Sequence, residues 1–329
     1  MEHLEYPLCH RRFPTAMASI RIRAARLSAL TVAGSAPSLG AQDTAPTVAH
    51  STRAPISIGN YPRVDGLRLN FRDRALERVR GINATIWNPH EPATGVVTGV
   101  ALGLPITGAG ELRGIGLGAL GVSANGLLRG IAIGGVGVGS GGGVHGVAIG
   151  GIGVGSGGNL DGIMVGGIGA GGGGNARGLL LGGIGTGVGG SMRGISIGGI
   201  GTGAGGGITG LTISGIGTGS GGTIRGVSVA GVGIGAPRIE GLFIAAAVGA
   251  QDARAIVLAP ALFRIEPGGT FTGGSLSAVN YVRGTQRGLS IGIVNYARSL
   301  HGAQIGVVNI IANQKSHPFL PIANWGSDK

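Results

Sequence analysis

The sequence has one cysteine, few aromatic residues and few charges, and each scarcity excludes a class of protein. Cys9 is the only cysteine among 329 residues, which excludes a disulfide scaffold and a cysteine-based zinc site. Aromatic residues make up 4% and charged residues 12% of the chain. The mean hydropathy of +0.38 is too apolar for a charged disordered protein. The histidines are scattered without metal-ligand spacing, so we expect no metal.

The charge that is present is mostly basic. Lysine and arginine total 25 against 13 acidic residues, and the excess lies mainly toward the N-terminal end. No basic run is interleaved with aromatic residues, so nucleic-acid binding is not expected.

The first 41 residues have the pattern of an upstream extension followed by a secretory signal peptide. Arg21, Arg23 and Arg26 precede the apolar run Leu27–Ala36, and small residues follow. Met17 is an alternative start to Met1, and a disordered terminus is the alternative interpretation. The signal predicts export to the periplasm, the outer surface or the extracellular space.

Glycine, with 75 residues in the whole chain, dominates the part that follows residue 41, and there it recurs with a fixed period. From Gly114 to Gly226 a glycine opens every sixteen-residue unit. Similar units extend the repeat domain over residues 66–313, with its regular part at 114–240. We assign residues 42–65 to a Pro/Ala/Thr-rich linker and residues 314–329 to a C-terminal cap or tail.

Apolar residues occupy constant columns of the unit, and β-branched residues dominate them, which favours strands. Two apolar pairs, Ile131 with Ile133 and Val136 with Val138, flank a Gly-Gly pair. A bend at these glycines would turn both pairs into one interior. The sequence therefore predicts an all-β fold, a β-solenoid of about sixteen Gly-rich coils of 14–18 residues, with a narrow core of Ile, Val and Leu.

The alternative architecture is an antiparallel β-barrel of the outer-membrane type, since sixteen residues could supply one strand and one turn. Such barrels need continuous alternation and aromatic girdles. The columns break alternation at the Gly-Gly pair, and no aromatic residue occurs between positions 88 and 242. The solenoid is therefore preferred.

The closing units contain Gly288–Ala297 (GLSIGIVNYA), echoed by Gly302–Ile311 (GAQIGVVNII). This phrase resembles the G-L-x-I-G-x-V-N units of bacterial surface-repeat proteins, including surface-repeat lipoproteins. The resemblance covers about the last forty residues and implies export and surface exposure without an assigned activity. Leu8 precedes Cys9 where a lipid-attachment site needs a small residue, so a lipid anchor is not expected.

No motif predicts catalysis, and we expect no catalytic, cofactor-binding or metal-binding residues. Ser196 and Ser290 lie in G-x-S-x-G matches without the strand–turn–helix setting that a nucleophile needs. Ser196 belongs to a column of varied residues, which we interpret as outward-facing. The many G-x-G-x-x-G matches follow from the glycine content, and the calcium β-roll aspartate is missing.

Two columns suggest surfaces. One polar column would form an exposed stripe, a possible contact for envelope polysaccharide; its basic members are Arg113, Arg129, Arg177, Arg193 and Arg225. The alternative is that this column is an ordinary solvated corner, because acidic residues interrupt the stripe. Thr186, Thr202 and Thr218 share another column, which is expected to point inward rather than to form an ice-binding face.

These observations predict an exported, non-enzymatic structural or adhesive repeat protein of the bacterial cell envelope or surface. Its expected partner is an envelope polysaccharide or another surface protein. An outer-membrane barrel or pore is the alternative function, and an ice-binding solenoid is the minor alternative.

Overall fold

The structure is a computed structural model that describes residues 55–87, 89 and 93–326. The predicted signal peptide and most of the linker lie outside these residues. In the described part every regular element is a β-strand. The strands are numbered in chain order: β1 Ile56–Ile58, β2 Arg63–Asn70, β3 Arg78–Thr85, β4 Val96–Gly103, β5 Ile106–Ala109, β6 Glu111–Gly118, β7 Gly121–Ala124, β8 Leu127–Gly134, β9 Gly137–Ser140, β10 Gly143–Gly150, β11 Gly153–Ser156, β12 Asn159–Gly166, β13 Gly169–Gly172, β14 Ala176–Gly182, β15 Gly185–Val188, β16 Met192–Gly198, β17 Gly201–Ala204, β18 Ile208–Ser214, β19 Gly217–Ser220, β20 Thr223–Ala230, β21 Gly233–Ile244, β22 Ala247–Ile265, β23 Thr270–Ile291, β24 Val294–Ile311 and β25 Phe319–Gly326.

The strands stack in parallel as a β-solenoid of about fifteen turns, which confirms the predicted fold. Each long strand pairs with the long strand of the next coil, and each short strand with the next short strand. In β8 and β10, for example, Gly130 lies opposite Gly146 and Ile131 opposite Val147. The antiparallel barrel is therefore wrong as an architecture, because neighbouring coils run in the same direction.

The glycine that opens each unit forms a corner that other residues cannot form. Gly130 has a φ of +119°, and a Cβ there would clash with the carbonyl oxygen of Gly114 in the preceding coil. Gly146 repeats this geometry one coil later, with a φ of +130°. The sixteen-residue period is therefore the length of chain between successive corners of one kind.

The interior is not the one that the apolar columns predicted. Val138 is buried at 3% exposure, but Ile131 and Ile133 are each 42% exposed and Val136 is 43% exposed. The prediction of a shared interior is thus wrong for three of the four residues. Period-two alternation along β8 turns Leu128, Ala132 and Gly134 inward, so both isoleucines face outward. The corner after β8 then leaves Val136 outside.

The core is filled by smaller and more varied side chains than expected. The column of Ala132 and Ala148 is inside, and it continues through Met164, Leu180 and Ser196, all at most 1% exposed. The interpretation of the Ser196 column as outward-facing is therefore wrong. Toward the C-terminal end the core accommodates phenylalanines, which the prediction of a narrow aliphatic core did not foresee: Phe243, Phe263 and Phe271.

Both ends of the solenoid carry special structure. At the N-terminal end β1 lies within the segment assigned to the linker and pairs in parallel with β2. At the C-terminal end β25 pairs antiparallel with β24 and covers its free edge. Unpaired strand edges promote association between chains, so β25 protects this end.

Candidate interaction surface

The outer surface of each coil divides into three sides of different chemistry. In the coil from Leu127 to Gly142, the apolar side presents Ile131 and Ile133, and the polar side presents Leu127 and Arg129. The third side, on β9, presents only Gly137 and Gly139, because Val138 and Ser140 point inward. We call these the apolar side, the polar side and the glycine side.

The apolar side is a pair of exposed aliphatic ladders that follow the coils. The parallel register places like residues over one another, so isoleucine stacks on isoleucine, valine or leucine. Members at least 36% exposed include Ile115, Ile131, Ile163 and Ile195 in one ladder and Leu117, Ile133, Ile149, Ile197 and Ile213 in the other. Surfaces of soluble monomers rarely keep contiguous apolar patches of this extent, and such patches mark interaction sites.

A third apolar ladder lies at the corner between the apolar and glycine sides. We call it the ridge, and its members are between 43% and 57% exposed: Leu120, Val136, Ile152, Ile168, Ile184, Ile200, Ile216 and Val232. Backbone hydrogen bonds of 2.6–2.8 Å join each ridge residue to the next, from Leu120 to Val232. The ridge is therefore a continuous feature of the fold.

The predicted arginine stripe forms one column on the polar side. Arg113 aligns with Arg129, and Arg177 with Arg193. Arg225 donates a hydrogen bond of 2.7 Å to Glu240, which lowers the pKa of that carboxyl. Arg113 likewise bonds Glu111 and lowers its pKa. His145 and Asp161 lie side by side in the same column, 3.0 Å apart, so the stripe carries both signs of charge.

The threonine column points inward, as expected. The Thr186 hydroxyl lies 3.1 Å from that of Thr202 and 2.6 Å from that of Ser196, and Thr218 pairs with Ser214 at 2.8 Å. These hydroxyls satisfy one another in the core, where they take no part in the outer surface.

The two serines in G-x-S-x-G matches are also core residues. Ser196 and Ser290 are both fully buried. Ser290 accepts a hydrogen bond of 2.8 Å from Ser275 in the adjacent coil. Both hydroxyls lie inside the solenoid, where their hydrogen bonds join adjacent coils.

Within residues 55–87, 89 and 93–326, no three His, Cys, Asp or Glu side chains cluster as metal ligands would. The same residues contain no helix able to cross a bilayer. A cleft lies at the C-terminal end, between Leu300, His301, His317 and Trp325.

Comparisons of the chain with protein-family models, curated proteins and solved structures find no match.

Sequence analysis missed the two most distinctive surfaces, the apolar ladders and the glycine side. One signal in the sequence points to the correct orientation. From Ala132 to Ser228 the varied column contains no charged residue, whereas the column of Arg129 contains several. Because charged side chains are almost never buried unpaired, the Arg129 column faces outward. Period-two alternation then places the Ile131 and Ile133 columns on that outer face and the Ala132 column inside.

Proposed function

We propose that the protein is an exported structural or adhesive repeat protein of the bacterial cell envelope, and that it acts through the apolar side. The observation that carries this proposal is the pair of aliphatic ladders, in which side chains such as Ile131 and Ile133 remain 42% exposed. An apolar surface repeated in every coil suits extended contact with another surface.

The chemistry of the interior supports a binding rather than a catalytic role. Side chains that could react, such as Ser196 and Thr186, bond each other inside the sheet. A partner therefore contacts the side chains on the regular outer surface of the coils, not these buried hydroxyls.

The test uses cells that produce the protein with an epitope tag. Export is measured by fractionation and by protease treatment of intact cells, and adhesion by attachment to hydrophobic polystyrene. One variant combines Ile131→Thr, Ile163→Thr and Ile195→Thr, which keeps β-branching but adds a hydroxyl to one apolar ladder. The matched variant combines Arg129→Thr, Arg177→Thr and Arg193→Thr in the polar column. All six side chains are exposed in the parent protein.

The proposal predicts that the protein is found in the envelope or medium, and that the isoleucine variant attaches several-fold less than the arginine variant. Loss of attachment in the arginine variant alone would contradict the proposal and would favour contact with an anionic polysaccharide. Retention of the protein in the cytoplasm would refute export.

A further inference from the structure

The ridge is exposed because glycines surround it. At the corner before β9, Gly135 precedes Val136 and Gly137 follows it, so no side chain of an adjacent residue covers the valine. The same holds one coil later for Ile152, between Gly151 and Gly153. Half-exposed branched residues in successive coils, stacked by backbone hydrogen bonds, form an unpartnered apolar edge.

The glycine side next to the ridge is flat, and the fold does not require glycine at several of its positions. A Cβ at Gly139, Gly155 or Gly219 would have no heavy atom within 4 Å, and none of these residues has a positive φ. The corner glycines differ, since a Cβ at Gly151 would clash with the carbonyl oxygen of Gly135. Glycine in a strand weakens it by about 0.5–1 kcal/mol relative to alanine, and it often marks a place where another chain approaches closely.

Ridge and glycine side together form a self-complementary surface. We propose that a second copy of this chain docks here, with the ridge of each copy lying on the glycine side of the other. The two copies are related by a two-fold axis that runs parallel to the solenoid axis. The ridge lies along one margin of the docking surface, so this rotation places the ridge of the second copy along the opposite margin, over the glycine side of the first copy. The two solenoids are then parallel, and their coils share one repeat distance, so every ridge residue finds the same environment.

The size of this surface suits a dimer. Residues 136–140 span about 17 Å at ~3.3 Å per residue, and the coils from Leu120 to Val232 extend over about 38 Å at ~4.8 Å per coil. The flat area is therefore roughly 650 Å² per copy, or about 1,300 Å² in total. Specific interfaces bury about 1,200–2,000 Å² in total. Another partner would need the same distance between its repeats to contact every ridge residue in the same way. A second copy of this chain has that repeat distance because its coils are identical.

The inference goes beyond the proposed function and extends it. The dimer covers the ridge and the glycine side but leaves both apolar sides uncovered, pointing away from each other. A dimer of this kind is bivalent, and two contacts on one rigid body raise the strength of adhesion without new contacts.

The experiment measures the molar mass of the purified full-length chain by sedimentation equilibrium at about 50 µM, where interfaces of this size are populated. One variant, Ile168→Glu with Ile200→Glu, charges the ridge. A second, Gly139→Val with Gly155→Val and Gly219→Val, fills the glycine side. Valine favours strands, so this variant is expected to fold at least as stably as the parent. The control, Ser191→Glu with Thr223→Glu, adds the same charge as the ridge variant on the polar side.

The proposal predicts twice the monomer mass for the parent and for the control, and the monomer mass for the ridge and glycine-side variants. Circular dichroism checks that each variant is folded. A monomeric parent, or a dimer that both variants retain, would overturn the proposal. A monomeric parent that floats with phosphatidylglycerol vesicles, while the ridge variant does not, would also overturn it and would assign the ridge to a lipid surface. None of these results decides whether the apolar side mediates adhesion, which the attachment assay tests separately.

Discussion

At the scale of single residues, the glycines of this chain do two different jobs. Corner glycines such as Gly146 adopt backbone angles and close approaches that a side chain forbids. Outward strand glycines such as Gly139 lie in open space. One residue type therefore sets the path of the coil at one position and the flatness of a surface at another.

This difference predicts opposite results for two identical substitutions. Gly146→Ala is expected to lower the free energy of unfolding by about 1–3 kcal/mol or more, because alanine is strained at a φ of +130° and meets the backbone of Gly130. Gly139→Ala is expected to raise it by about 0.5–1 kcal/mol, since a Cβ there is free of contacts. Guanidinium unfolding followed by circular dichroism measures both. Equal effects of the two substitutions would show that these positions do not differ in conformation.

A buried ion pair occupies the core at the N-terminal end. Arg68 belongs to the inward column of Ala132 and is fully buried. It forms an ion pair with Asp73, and it also donates a hydrogen bond of 2.8 Å to Asn83. Burial by itself would raise the pKa of Asp73, but Arg68 and hydrogen bonds from Asn70, Thr85 and Asn83 outweigh it, so the pKa is lowered.

The lowered pKa of Asp73 makes the N-terminal coils sensitive to acid. The stabilisation is complete above the unfolded-state pKa of about 3.9, and it is lost as pH falls through the lower folded-state pKa. The protection factors of the β2 and β3 amides, taken against the intrinsic exchange rate at each pH, are expected to fall in that acid range. Asp73→Asn leaves Arg68 buried without its partner, so the same amides should lose about 3–5 kcal/mol of protection at neutral pH. Similar protection in both proteins at pH 7 would contradict this role.

At the scale of strands and coils, polar ladders inside the core hold successive coils in register. Near the C-terminal end, Asn280 donates a hydrogen bond of 2.7 Å to Asn295, and Asn295 donates one of 2.7 Å to Asn309. Each amide thus pairs with its equivalent in the next coil. Register is strongly specified where a buried polar group has only one partner at the right height.

Removal of the central amide tests this role. Asn295→Ala removes one of the two hydrogen bonds that the Asn280 side chain donates, and it leaves the buried side-chain oxygen of Asn309 without its donor, which costs about 2–3 kcal/mol of unfolding free energy. Val294→Ala, one residue away but only partly buried, is expected to cost less than about 1 kcal/mol. Urea unfolding of the two variants gives the comparison. A smaller effect at Asn295 than at Val294 would show that the ladder does not stabilise the coils.

At the scale of the whole repeat domain, the sixteen-residue spacing determined the fold, but it did not determine which side of each strand faces inward. The corner glycines fix the length of a coil, and they can be read directly from Gly114, Gly130 and Gly146. Orientation was misassigned because hydrophobicity alone places isoleucine inside, as it did for Ile131 and Ile133. Period-two alternation along each strand instead decides the orientation, and along β8 it places Leu128 and Ala132 inside and leaves the two isoleucines on the surface.

A stack of equivalent coils predicts that one coil can be removed without loss of the fold. Deletion of residues 146–161 joins two corners in the same register, and it should shorten the solenoid by about 4.8 Å while strand content per residue is kept. Deletion of half that length places corner glycines over positions in the short strands and is expected to unfold the domain. Small-angle scattering with circular dichroism measures both. Equal tolerance of the two deletions would contradict stacking in register.

The isoleucine ladders face the solvent, while the column of Ala132 faces the core. Maleimide labelling of two single-cysteine variants, Ile133→Cys and Ala132→Cys, each combined with Cys9→Ser, tests this orientation directly. Ile133 is 42% exposed and Ala132 is fully buried. Labelling is expected to be rapid at position 133, and position 132 should stay protected until the protein is unfolded. Protection at 133 with rapid labelling at 132 would show that the orientation is the reverse.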